Sequence, residues 1–242
     1  VISGRNAANY ANIGLNAVDM SHSDIVSISN GASGKNSVAM GKNTQAIGEN
    51  SVAMGGWGIA KGPASFVYSA GITVNDSATA NGYGAISMGA ISKANGTYSV
   101  AMGLFNQSNG DHSFSAGHGN ISDGKYSSSF GYLSTAMGEG AFSAGKSNQA
   151  TGNSAVAVGE SNLASGDHSV SMGKHGVSKG PQTFVFSAAP TENDSATANG
   201  YGAISMGFRT KANGDFSQAF GFNNQANEDY STVIGYQNIA DG

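Results

Sequence analysis

Apolar and small polar positions alternate along this chain in runs of five, and the runs return in a fixed frame. The clearest copy is Ser37-Val38-Ala39-Met40-Gly41, Lys42-Asn43, Thr44-Gln45-Ala46-Ile47-Gly48, Glu49-Asn50; Ser51-Val52-Ala53-Met54-Gly55 begins the next. Period 2 within each run predicts strands, since a helix would need a 3.6 period. Five residues suit a short strand, and Gly or Asn at each break supplies the positive φ of a tight turn. The unit thus divides as five, two, five, two, a coil of 14 residues with two strands. A fixed period of this kind predicts a solenoid. Coils stacked in parallel at about 4.7 Å, roughly fifteen of them, give a rod about 70 Å long. The expected fold class is all-β, a parallel β-roll (β-solenoid) of 14-residue coils.

Columns down the stack divide the unit by face. The third place of the second run holds only Ala or Ser, from Ala46 and Ala60 to Ala226 and Ala240, and that of the first run is nearly as small, as at Ala39, Ala53, Ser87 and Ser115. Tiny side chains facing inward from both strands predict layers closer than the usual ~10 Å sheet spacing. The second and fourth places of the first run are large and apolar. They hold Val38, Met40, Val52, Met54, Phe66, Tyr68, Ile86, Met88, Val100, Met102, Phe114, Phe130, Phe142, Val156, Val158, Val170, Met172, Phe184, Phe186, Ile204, Met206 and Phe220. Size trades off within pairs such as Phe114 with Ala116, as in a packed layer. Yet this face points away from the coil's own interior, and a monomer exposing it would aggregate. The simplest partner is the same chain around a rotation axis. These residues are the expected core of a closed homo-oligomer.

Residues 1–22 follow the frame poorly and read as a degenerate N-terminal coil or cap. Residues 23–242 read as a single roll of about fifteen coils, with Asp24 an imperfect strand position in the first. Two coils are stretched by six residues, placing extended turns near 70–79 and 188–197. Both end in the same run, Asn-Asp-Ser-Ala-Thr-Ala-Asn-Gly-Tyr-Gly-Ala-Ile-Ser-Met-Gly, and in both Ser69 or Ser187 replaces the Gly that closes the first run. A longer turn releases that position from glycine.

Composition removes several function classes. The net charge is −4 with no basic stripe, so nucleic-acid binding has no electrostatic footprint. Cysteine is absent, which excludes a disulfide framework and thiolate metal sites. No apolar run approaches the roughly 20 residues of a membrane span. No signal-peptide pattern opens the chain at Val1, which reads as a mature piece. His112, His118, His168 and His175 are scattered over turns and predict no metal site; the turn acids Asp111, Asp123, Asp167, Asp215 and Asp229 are expected to be solvated. Serine is frequent because the coil interior is small, so no Ser-His-Asp argument holds. No catalytic residue, cofactor or small-molecule substrate is expected. Turn positions carry the candidate contacts with another protein: Trp57, Leu104, Phe105, Tyr132, Leu133, Phe208, Phe222 and Tyr236, with Ile72, Val74, Pro190 and Glu192 in the stretched turns. These residues equally suit a role covering the seam between chains.

The Ser-Val-Ala-Met-Gly runs at 37–41, 51–55 and 99–103, with Ser169-Val170-Ser171-Met172-Gly173, and the x-x-Ala-x-Gly runs that follow them resemble the YadA-like head domain of trimeric autotransporter adhesins. The resemblance covers residues 23–242. It implies a left-handed roll, a homotrimer, and display on a Gram-negative cell surface through a C-terminal outer-membrane anchor absent from this stretch. It also implies adhesion to a host matrix protein (collagen-like) or an epithelial surface receptor. A spacer or fibre shaft projecting another binding module is the alternative that the residues leave open.

Overall fold

The computed structural model describes residues 10–25 and 27–241. Among the described residues, fifteen five-residue strands alternate with fifteen two-residue strands. Every pairing between neighbouring coils is parallel: Val38 opposes Val52, Met40 opposes Met54, and Gln45 opposes Ile59. The result is the all-β parallel solenoid expected from the repeat. The coils form two compact units that divide between Asn120 and Ile121. The first carries long strands from Val18–His22 to Phe114–His118 and short strands from Gly31–Ala32 to Gln107–Ser108. The second carries short strands from Ile121–Ser122 to Ile239–Ala240 and long strands from Ser128–Tyr132 to Thr232–Tyr236.

The two runs of the repeat are unequal as strands. The first becomes Val38–Lys42, one residue later than the frame, while the second pairs only at Gln45–Ala46. Beyond Ala46 the chain bends, because Ile47 N and Gly48 N both donate to Ala60 O, at 2.8 and 3.2 Å. A Cβ on Gly48 would lie 2.1 Å from Gly62 O, so the next coil's backbone occupies the space of a side chain. Two residues per coil take left-handed φ, at Asn43 (53°) and Asn50 (57°). Trp57, Phe105 and Tyr98 hold the same conformation at equivalent places, φ 53–60°.

The interior is as small as the columns predicted. Ala39, Ala46, Ala53 and Ala60 are fully buried, and Ser108 and Ser115 join hydroxyls at 2.6 Å. Val67 and Val185 are the largest buried apolar side chains. Each has a glycine against it: a Cβ on Gly58 would lie 3.0 Å from Val67 Cγ1, and one on Gly176 would lie 3.1 Å from Val185 Cγ1. In several other coils the place of Gly58 holds a buried Asn, and in others a buried Ser or Thr. Asn148 Nδ2 donates to Ala144 O (2.8 Å) and Gly159 O (2.6 Å), and Asn162 sends N and Nδ2 to Asn148 Oδ1, both at 3.0 Å. Buried polar groups require such pairing.

The stretched coils keep register, with Phe66 opposite both Val52 and Ile86. Their extra residues lie between the long and short strands and include the 3₁₀ turns Val74–Asp76 and Glu192–Asp194. Ser69 does more than tolerate the longer turn: its Oγ accepts from Gly71 N and Ala78 N, both at 3.2 Å. Ser187 Oγ likewise accepts from Ala189 N (3.4 Å) and Ala196 N (3.3 Å). The hydroxyl ties the two ends of each insertion together.

A third stretched coil precedes these. Val18 pairs with Val38, a step of 20 residues, and Ser21 stands opposite Gly41. Stacking therefore starts ahead of the Ser23 frame, with the long strand Val18–His22 inside the region read as a degenerate coil or cap. Asp24 lies in this turn, not in a strand, and pairs with Lys42 Nζ at 2.8 Å. Residues 1–9 of that region lie outside the described residues.

Candidate functional surface

The outer face of the long strands is apolar in both units. Val38, Met40, Val52, Met54, Phe66, Ile86, Met88, Val100, Met102 and Phe114 are half-buried in the first, and Phe130, Val156, Val158, Val170, Met172, Phe184, Ile204 and Phe220 in the second. Tyr68 (49 %), Phe186 (46 %), Phe142 (37 %) and Met206 (37 %) are more open still. Alternation explains the split: in a five-residue strand such as Val38–Lys42 the second residue faces the coil interior and its neighbours face out. None of these side chains is fully buried within the chain itself.

One edge of that face is the column where long strands end. Phe208, Phe222 and Tyr236 stack there with centroids 4.8 and 5.0 Å apart and planes 6° and 12° from parallel. Arg209 lies 5.6 Å from the Phe208 centroid. Leu104, Phe105, Tyr132 and Leu133 are exposed in the same turns of other coils, and Phe105 meets His118 edge to face at 5.7 Å. Trp57 is spent differently: its Nε1 donates to Ile72 O at 2.9 Å, fastening the indole to the extended turn, while Ile72 and Val74 remain exposed.

In the second unit this column also carries charge. Glu160 bridges Lys146 (3.2 Å) and Lys174 (3.4 Å), and the Lys146 hydrogen bond, foremost, holds its carboxyl below the usual range. Pro190 and Glu192 are exposed in the extended turn. Beneath them Asp194 accepts from Thr191 Oγ1 (2.6 Å) and Arg209 Nε (2.7 Å). The Thr191 bond, then Arg209, lowers the Asp194 pKa against the opposing effect of burial. A groove of 370 Å³ opens beside this turn, lined by Gln149, Leu163, His175, Val177, Glu192 and Ser195 among others.

The second turn carries an aromatic column that the sequence reading passed over. Tyr83, Tyr98 and His112 run in contact in the first unit, with centroids 5.4 and 5.5 Å apart. Tyr201, Phe216 and Tyr230 do so in the second, at 5.3 and 5.5 Å. A Cβ on Gly84 would lie 2.6 Å from the Tyr98 ring, which accounts for Gly at that turn. Reading residues 14 apart through the second turn, as through the first, finds this column.

The turn acids prove to be more than solvated charges. Asp111 Oδ1 accepts Thr97 N (2.8 Å) and Asp167 Oδ1 accepts Asn153 N (2.9 Å), each from the preceding coil; Asp215 and Asp229 repeat the bond. Among the described residues no three His, Asp or Glu side chains gather into a metal-sized cluster.

The family model of the YadA head domain repeat, which spans two copies, matches residues 32–56, 80–106, 150–175, 198–217 and 219–238, in both units. The chain belongs to the YadA-like head domains. These heads are parts of trimeric autotransporter adhesins, a surface-exposed family of structural adhesins and not of enzymes. A search of curated proteins returned no match. Membership of this family gives the chain an adhesin-like role in general terms.

Proposed function

We propose that this head forms a homotrimer at a bacterial surface, held there by an outer-membrane anchor elsewhere in its chain, and attaches to a host extracellular-matrix protein of collagen-like type or an epithelial receptor. The observation that carries this reading is the apolar outer face of the long strands, which the described residues leave only half-buried or exposed. Three such faces meeting about a threefold axis leave water together, and the turn columns stay outside. Exposed aromatics on a surface of low charge are suited to anchoring protein contacts. Three copies raise the avidity of a weak single site.

Binding of the purified head to a panel of matrix and epithelial proteins tests the proposal. Replacing Phe222 and Tyr236 with Ala, or deleting the insertions within 70–79 and 188–197, is expected to weaken binding at least tenfold, the scale of about 1.4 kcal/mol. A trimeric head that binds nothing in the panel would overturn the receptor role and leave projection of another module as its task.

A further inference from the structure

The sequence holds five Asn-x-Ser/Thr triplets, the acceptor pattern for sugar transfer to an Asn amide. The fold sorts them. Asn106 and Asn120 are fully buried. Asn106 Nδ2 donates to Met102 O (2.6 Å) and Gly117 O (2.7 Å); Asn120 Nδ2 donates to Asn106 Oδ1 (3.1 Å) and Ala116 O (3.0 Å). Asn95 lies in a surface ladder, with Nδ2 held by Asn109 Oδ1 at 2.6 Å.

The other two triplets, Asn75-Asp76-Ser77 and Asn193-Asp194-Ser195, occupy the same place in the two extended turns of the 70–79 and 188–197 regions. Both Asn side chains are exposed, and neither amide has a hydrogen-bond partner among the described residues. The Ser77 and Ser195 hydroxyls are equally uncommitted. The middle acid is turned to other work: Asp76 Oδ2 accepts Thr73 N (3.0 Å) and Thr73 Oγ1 (2.9 Å), and Asp194 accepts Thr191 and Arg209. Residues just before the triplets differ, Ile72-Thr73-Val74 against Pro190-Thr191-Glu192. The triplet persists in both turns although its Asn holds nothing in the fold.

We propose that Asn75 and Asn193 are glycosylation sites, each receiving a sugar from a donor that carries it on a diphosphate. The Asn Nδ2 attacks the anomeric carbon. A C–N bond forms, the bond from that carbon to the diphosphate oxygen breaks, and the diphosphate leaves with the electron pair. One Nδ2 proton passes to a base of the transferase; nothing is oxidised or reduced. The donor is a nucleoside-diphosphate sugar or a lipid-diphosphate oligosaccharide, and the chemistry at Asn is common to both.

Peptide mass spectrometry of the protein isolated from the organism that produces it tests the assignment. Carbohydrate is expected on Asn75 and Asn193 and absent from Asn106 and Asn120. A single-sugar increment identifies the nucleoside-linked donor, and a block of several sugars identifies the lipid-linked one. Ser77→Ala and Ser195→Ala keep each Asn, remove no hydrogen bond of the turn, and are expected to abolish modification at that site. Both peptides wholly unmodified, or modification that survives the Ser→Ala changes, would overturn the proposal. Occupancy of one turn alone would overturn it for the other.

Discussion

Val67 and Val185 each lie against a glycine, Gly58 and Gly176, whose missing Cβ leaves room for their methyl groups. Interiors packed to native density feel a single methyl in either direction. Gly58→Ala is expected to cost about 1–3 kcal/mol by overpacking. Adding Val67→Ala relieves the clash, so the double variant should lose less than the sum of the singles. Thermal unfolding of all three checks this, and strict additivity would refute the pairing. The Ala and Ser columns were legible in the sequence because the period repeats them. The Gly–Val pairing was not, since the partners lie nine residues apart across a coil and only the fold makes them neighbours. The buried Asn column escaped for a related reason. A polar residue beside a turn reads as surface until stacking supplies carbonyls such as Gly159 O and Gly173 O for its amide.

At the scale of the element, the insertions are held by few bonds, and two of those holds depend on pH. Asp194 has its pKa lowered by Thr191 and Arg209. A carboxylate with a depressed folded pKa contributes stability above its unfolded value and loses it as pH falls through the folded one. Hydrogen exchange at Ala196 and Arg209, corrected for intrinsic rates, is expected to quicken below the ordinary carboxylate range. Asp194→Asn should remove that pH dependence, and its survival would refute the cause. Asp24 follows the same sign, drawn from 3.8 to about 2 chiefly by Lys42 and then Asn43. Its hold on the first stretched turn is present above 3.8 and fades toward pH 2. This turn also shows where reading by frame fails. Ser21 stands in the column of Ser69 and Ser187, though its Oγ donates to Asp19 Oδ1 (2.6 Å), and Asp24 fell by chance into a strand column of the 14-residue frame, so the 20-residue step passed unseen.

At the scale of the whole molecule, the apolar outer face decides how the chain exists in water. A single chain weighs 24.2 kDa. Sedimentation equilibrium is expected to give three times that mass for the purified head. Met54→Glu with Met102→Glu should split or aggregate the assembly, because a buried unpaired carboxylate costs several kcal/mol. A stable, soluble monomer of the unaltered chain would refute the trimer.

The sequence alone determined the parallel coil, its period, the inward Ala and Ser, the outward apolar face and two of three stretched turns. All of these recur at fixed intervals, and strand alternation converts interval directly into face. Only the tertiary structure decided how short the second strand is, which serines tie the insertions, where the buried Asn amides bond and which aromatics touch. Those depend on what the adjacent coil places within hydrogen-bond or van der Waals distance. The repeat is written in the chain, while the contacts between coils exist only once it has wound.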